Sequence, residues 1–390
     1  MKFTVNKTNV LDVLSNIQGL TGRKSNLAIT ETVLIQTTES GIKITATDLE
    51  TGFMGSYPAK VESQGVIAIN ARKIYEIIKE FPSNEININE IENHWVEIGH
   101  AKGGINYHMV GMNPDDFPEI PLIEDISFLK IKSAALKKMI DKTIIIGVAT
   151  DDRRVHINGI YFEKLKNNNQ NTIRMVSTDG SRLSLVDYTC PTDGRQVSES
   201  AESGFDPPEH FGEPEPGIII PKKGLTEVNR FLDTEGTVQI GNKNNHFIVK
   251  KDTETIIIRL LEGEFPKYSE IIGKEGASTI TVNRKMFLSM LKRMSILYSD
   301  DYKGVVFNFQ KDKLIITATN PDLGESKEDM NIDYKGDKIQ TAFNPKFFID
   351  ILNVIDEDNI ILNIIDEQKP CFIEGKEDKQ FLSVIMPMRI

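Results

Sequence analysis

Apolar and polar positions along this chain switch repeatedly between a period of two and a period near 3.6. Each switch marks a strand running into a helix. Three segments share this form: Phe3-Thr-Val-Asn-Lys-Thr-Asn-Val-Leu-Asp-Val-Leu14, Leu129-Lys-Ile-Lys-Ser-Ala-Ala-Leu-Lys-Lys-Met-Ile140 and Ile280-Thr-Val-Asn-Arg-Lys-Met-Phe-Leu-Ser-Met-Leu291. A second set is a strand closing on Thr: Ile44-Thr-Ala-Thr-Asp-Leu-Glu50, Met175-Val-Ser-Thr-Asp-Gly-Ser181 and Ile316-Thr-Ala-Thr-Asn-Pro-Asp322. Thr followed by Asp or Asn suits a turn, because these short side chains bond nearby backbone. A third set is a strand entering another helix, at 69–78, 220–229 and 343–352.

The three sets keep the same order, which is the signature of a repeated unit. Each copy reads strand, helix, strands, helix, strands. The middle copy is longer, and its excess falls in 198–217, rich in Glu, Pro and Gly, as expected of an inserted surface loop. Boundaries are expected near Asp125 and Ala277, each just after a Phe-Pro segment. The domains are then 1–125, 126–277 and 278–390. Stretches such as 33–38, 41–47, 237–240, 255–260 and 313–319 are rich in β-branched residues. The expected class is α+β, mostly strand, with about six helices.

Those helices are amphipathic. Over 72–81 the apolar positions are Ile74, Ile77, Ile78 and Phe81; over 285–297 they are Phe287, Leu291, Met294 and Leu297. Their polar faces are biased to the positive. Arg72, Lys73 and Lys79 stand with Glu76 and Glu80; Lys137, Lys138 and Lys142 with Asp141; Lys222, Lys223 and Arg230 with Glu227 and Asp233. Arg284, Lys285, Lys292 and Arg293 have no acid before Asp300. The whole chain carries a net charge of −11, so the rest of its surface is acidic. One reading is ordinary solvated helix faces. The other is a basic surface that holds phosphate without reading bases.

Little points to catalysis. His94, His100, His108, His156, His210 and His246 form no metal-ligand pair, and no phosphate-cradling loop or nucleophile elbow is present. No metal or cofactor is expected. The pairs Asp151-Asp152 and Asp300-Asp301 leave open a Mg²⁺-dependent nuclease, against the commoner reading of solvated turns. Thr178-Asp179-Gly180 reads as a structural turn, because it has counterparts at Thr47 and Thr319. Only two cysteines, Cys190 and Cys371, occur, and no apolar run reaches membrane-spanning length. The opening residues lack a basic region followed by an apolar run, so a cytoplasmic chain without a secretory signal is expected.

Several motifs resemble the β-subunit family of bacterial DNA polymerase III. They are the terminal Val384-Ile-Met-Pro-Met-Arg-Ile390, the central Met175-Val-Ser-Thr-Asp-Gly-Ser-Arg-Leu183, Asn158-Gly-Ile-Tyr-Phe-Glu163 and Glu262-Gly-Glu-Phe-Pro-Lys-Tyr268. The resemblance covers essentially the whole chain. It implies three repeated DNA-clamp domains, each with two helices on β-sheets, and a head-to-tail homodimeric ring round double-stranded DNA. The ring would be a processivity subunit without catalysis, opened by a separate ATP-driven loader. Its dimer contacts would put Tyr107 and Met109 against Ile296 and Leu297 of the other chain.

The resemblance also implies a groove that takes short peptides from replicative polymerase, clamp loader and repair polymerases. Carried over by position, the groove comprises Ile157, Thr178, Gly180, Arg182, Leu183, Pro266, Ile271, Phe347, Val384, Met386, Pro387, Met388 and Arg389. Flexible thioethers suit varied partners. Arg23, Lys24, Arg72, Lys73, Lys137 and Lys138 are the candidate DNA contacts. Two features depart from the family. Ser181 stands where His is frequent, and the 198–217 insert is long. A clamp-fold scaffold that never encircles DNA remains a further alternative.

Overall fold

The computed structural model describes residues 1–22, 27–100, 103–121, 123–147, 155–167, 170–190, 216–297 and 304–388. The first copy contains β1 (Lys2–Asn6), α1 (Lys7–Asn16), the short α2 (Gln18–Thr21), β2 (Thr32–Thr37), β3 (Gly41–Thr47), β4 (Thr51–Ser63), β5 (Val66–Asn70), α3 (Ala71–Glu80), β6 (Glu85–Glu90), β7 (Trp95–Gly99) and β8 (Asn106–Val110). The second contains β9 (Leu129–Lys132), α4 (Ser133–Ile144), β10 (Gly159–Asn167), β11 (Gln170–Thr178), β12 (Arg182–Cys190), β13 (Ile218–Pro221), α5 (Lys222–Phe231), β14 (Thr237–Lys243), β15 (His246–Lys251) and β16 (Glu254–Arg259). The third contains β17 (Ser278–Asn283), α6 (Arg284–Met294), β18 (Val305–Gln310), β19 (Lys313–Asn320), β20 (Gly324–Asn331), β21 (Ile339–Phe343), α7 (Pro345–Val354), β22 (Asn359–Ile364), β23 (Cys371–Gly375) and β24 (Phe381–Ile385).

Asn starts four of the helices for one reason. Its side-chain oxygen accepts an otherwise unpaired amide of the first turn: Asn6 from Thr8, Asn70 from Lys73, Asn283 from Met286 and Asn344 from Lys346, each at 3.0 Å. Asn6, Asn70 and Asn283 also end the preceding strand and Asn344 directly follows one, so a single residue sets the strand-to-helix switch. The Thr turns repeat as closely. Thr47 donates its hydroxyl to Thr51 O and accepts from Leu49 N; Thr178 donates to Arg182 O and accepts from Gly180 N. Asp48 and Asp179 each accept two backbone amides across the same turn. This is a backbone-shaping motif, as its recurrence in the sequence implies.

The described residues form two bodies. The first holds those of 1–137 and 223–260; the second holds most of 138–222 and all those of 261–388. In the first body one sheet runs β8-β7-β6-β1-β4-β16-β15-β14-β9, and β4 also carries β3, β2 and β5. In the second, one sheet runs β13-β10-β11-β12-β24-β23-β22-β17 and another runs β20-β19-β18-β21. Backbone ladders thus cross the expected copy boundaries. Strand β4 pairs antiparallel with β16, and β12 pairs antiparallel with β24.

Within the first body α1 packs on α3, burying Val10, Val13 and Leu14 with Ala71, Ile74 and Ile78. Within the second, α6 packs on α7, and Phe287, Phe307, Phe343 and Phe348 form an aromatic core with ring centroids 5.2–6.4 Å apart. No described helix is long and apolar enough to cross a membrane.

Candidate functional site

The turn between β11 and β12 and the end of β24 build one surface in the second body. Ladder pairing sets Leu183 opposite Val384 and Arg182 opposite Ile385, and Met386 N donates to Ser181 O at 2.9 Å. Leu183 and Val384 pack with Val176, Tyr268 and Phe372. Gly180 takes φ +89°, a left-handed conformation that glycine adopts without a steric penalty.

Arg182 is the polar anchor of this surface. It is only 7% exposed, yet its charge is fully engaged. Nε donates to Asp179 Oδ2 at 3.0 Å, Nη1 donates to Asp350 Oδ2 at 2.7 Å, and the guanidinium lies 4.3 Å from the centroid of the Phe347 ring. Phe347 and Asp350 stand three residues apart on α7, so one helix face supplies both contacts. Beside it Lys222 donates to Ile146 O, and burial pushes its ammonium down to about 8.

Met386 is 37% exposed beside partly covered Pro387. Met388 N donates to Ala342 O at 2.8 Å. The thioethers therefore sit on backbone fixed at two points while the side chains stay accessible. Pro266 and Ile271 are exposed on either side of Tyr268, which joins the Leu183–Val384 cluster. Ile157 is buried in the turn before β10. Arg389 lies outside the described residues. Asp179 and Asp350 were not among the expected site residues. The α7 spacing of Phe347 and Asp350 is the signal that points to Asp350.

The candidate DNA contacts are less uniform. Arg72 and Lys73 are exposed, but both bind Glu76, at 2.9 and 2.8 Å. Lys137 donates to Asn229 O at 2.9 Å, which ties it to the fold. Lys138 shares Asp378 with buried Lys142, at 2.9 and 2.8 Å. Arg293 binds Glu328, Lys285 lies 3.1 Å from Asp358, and Arg284 donates to Glu357 O and Leu352 O. The basic side chains of the helices are therefore largely paired, Arg72 and Lys73 with Glu76 of their own helix and the others with acids and carbonyls from other elements. Arg23 and Lys24 lie outside the described residues.

Two strand edges carry exposed apolar side chains. On β8 these are Tyr107 and Val110, with Met109 half-buried. Just before β20 Leu323 is exposed, and in the turn that follows α6 Ile296 is exposed with Leu297 half-buried. Among the described residues no group of His, Cys, Asp or Glu could hold a metal; Asp151, Asp152, Asp300 and Asp301 lie outside them.

Models of the DNA polymerase III beta subunit match the chain in tandem. The N-terminal domain matches residues 1–121, the central domain 130–200 and 208–267, and the C-terminal domain 269–389. The beta sliding clamp of Vibrio cholerae is 26% identical over 399 residues, with both chains fully covered. That of Chlamydia pneumoniae is 28% identical over 390 residues, covering all of this chain and 99% of its own. The solved structure of a DNA polymerase III beta subunit from Eubacterium rectale has a TM-score of 0.87 at 26% identity, covering both chains completely. A DNA polymerase sliding clamp from Pseudomonas aeruginosa has 0.86 at 25%, again with both chains covered. Three consecutive domain matches follow the three copies read from the sequence, so the chain belongs to the DNA polymerase III beta subunit family, the sliding clamps, and is a non-catalytic processivity subunit.

Proposed function

We propose that two copies of this chain close head to tail into a ring round duplex DNA, and that the Arg182–Met386 surface docks polymerase, clamp-loader and repair-polymerase peptides. The observation that carries the ring is the repetition of one sheet junction. In each junction the strand after a Thr turn accepts the last strand of the next copy: β4 takes β16, and β12 takes β24. The third strand of this kind is β20, and the last strand of the first copy is β8. Both are sheet edges within the chain. The exposed apolar side chains on β8 and beside β20 fit a heterologous interface, which closes when two three-domain chains meet. Domain boundaries near 125 and 277 accord with this reading.

On such a ring, processivity is topological. DNA contacts hold phosphate weakly and without sequence preference, which permits sliding. A cytoplasmic setting accords with two buried, unpaired cysteines. For the groove, replacing Met386 and Met388 together by Ala should weaken binding of a polymerase-derived peptide about tenfold or more, by fluorescence anisotropy, and leave dimerisation intact. Unchanged peptide affinity would remove the groove assignment.

A further inference from the structure

The internal repetition also fixes the register in which the two free edges meet. Three sets of backbone bonds establish the equivalences. Gly111 N donates to His94 O as Leu260 N donates to Asn245 O. Met112 N donates to Ala68 O as Leu261 N does to Ile219 O and Met388 N to Ala342 O. Val110, Arg259 and Met386 are therefore equivalent, each two residues before the last of these donors. On the other strand, Thr47 pairs with Gly52, Thr178 with Leu183 and Thr319 with Glu325, so Glu325 is equivalent to Leu183. Existing junctions pair Thr51 with Ile258 and Arg182 with Ile385. The same rule pairs Gly324 with Met109, Glu325 with His108 and Leu323 with Val110.

This register is chemically coherent. Val110 and Leu323, 61% and 63% exposed, cover one another. His108 already has Glu97 as its cross-strand neighbour, with Nε2 and Oε1 3.6 Å apart. We propose that His108 docks beside Glu325 of the partner subunit, completing a carboxylate–imidazole–carboxylate row that makes ring closure proton-linked. This rests on the head-to-tail ring.

The groups facing His108 can be named. They are Glu97 from β7, Asn106 on its own strand, and Glu325 of the partner subunit, beyond which Thr319 of that subunit lies in the same row. Lys327 of the partner subunit lies one step along, opposite Asn106, and moderates the local negative charge without reversing it. Protonating the imidazole strengthens the contact to the partner's Glu325, which only the closed ring makes, so closure takes up a proton. The dimer should hold more tightly below the histidine range, and that gain should vanish as pH rises through it.

Sedimentation of the full chain tests this between about pH 6 and about pH 8. The wild-type dimer should be about tenfold tighter at the lower pH, since each ring has two such rows, both partly screened by solvent. His108→Gln and Glu325→Gln should each flatten the profile, and the double variant should add nothing further. A profile that survives either substitution overturns the latch. A chain with Val110→Cys and Leu323→Cys together should give cross-linked dimers on oxidation, as directly opposed positions allow. Dimers with a flat wild-type profile or without that cross-link defeat the register and latch but keep the ring; monomers at every pH and concentration defeat the ring itself.

Discussion

Leu49 stands at φ +77°, where the second copy has Gly180 at φ +89°. The two turns make the same hydrogen bonds, so the backbone is dictated by the motif and not by the residue. A leucine pays for this conformation with contact between its Cβ and the adjacent carbonyl. Its side chain is exposed and contributes little packing in return. Leu49→Gly should therefore stabilise the protein by about 0.5–1 kcal/mol, the steric relief being partly cancelled by the glycine's unfolded-state entropy. Urea unfolding measures it, and a loss of stability would mean that Leu49 packs in solution.

Among the elements of the second body, α4 and the loop before β24 meet through one carboxylate. Asp378 accepts from both Lys138 and Lys142, and Lys142 has a side chain only 4% exposed. Burial alone would raise the Asp378 carboxyl, but the two ammonium groups hold it down at about 2; burial pushes Lys142 below the usual lysine range. A carboxylate depressed in the folded state contributes stability that is complete above the ordinary value near 4 and lost as pH falls from about 4 to about 2. Asp378→Asn should cost about 3 kcal/mol by stranding a buried charge, whereas Asp378→Leu with Lys142→Met should recover most of it. Denaturant titration of both variants at neutral pH, and of wild type down the acid limb, checks the pair. Equal losses in the single and double variants would show that the ion pair is not what matters. The same contact marks the limit of sequence reading. Helix phase, Thr turns and the order of elements were visible because they are local. That Lys142 is buried and Lys138 half-neutralised was not, because their partner is more than two hundred residues away in the chain. Asp350 beside Arg182 escaped for the same reason, and so did the choice of β16 as partner for β4.

Taken over the whole molecule, that neutralisation changes what should hold a clamp on DNA. Arg72 and Lys73 share Glu76, Arg293 is bound by Glu328, Lys285 faces Asp358, and the chain as a whole is at −11. Phosphate must displace these carboxylates before it gains a cation, so counterion release is small for each helix. Equilibrium binding to short linear duplex should be weak, with a logarithmic salt slope of only about −2 to −4. Retention after loading on closed circular DNA should behave differently, because escape from the proposed ring then requires opening of its β8–β20 junction and not loss of phosphate contacts. Raising salt from about 50 to about 200 mM should strip the protein from linear duplex while changing its half-life on circles less than about twofold. Gel filtration of loaded complexes, with and without linearisation of the DNA, reads both quantities. A half-life on circles that falls in parallel with linear affinity would mean that charge, and not closure, keeps the protein on DNA.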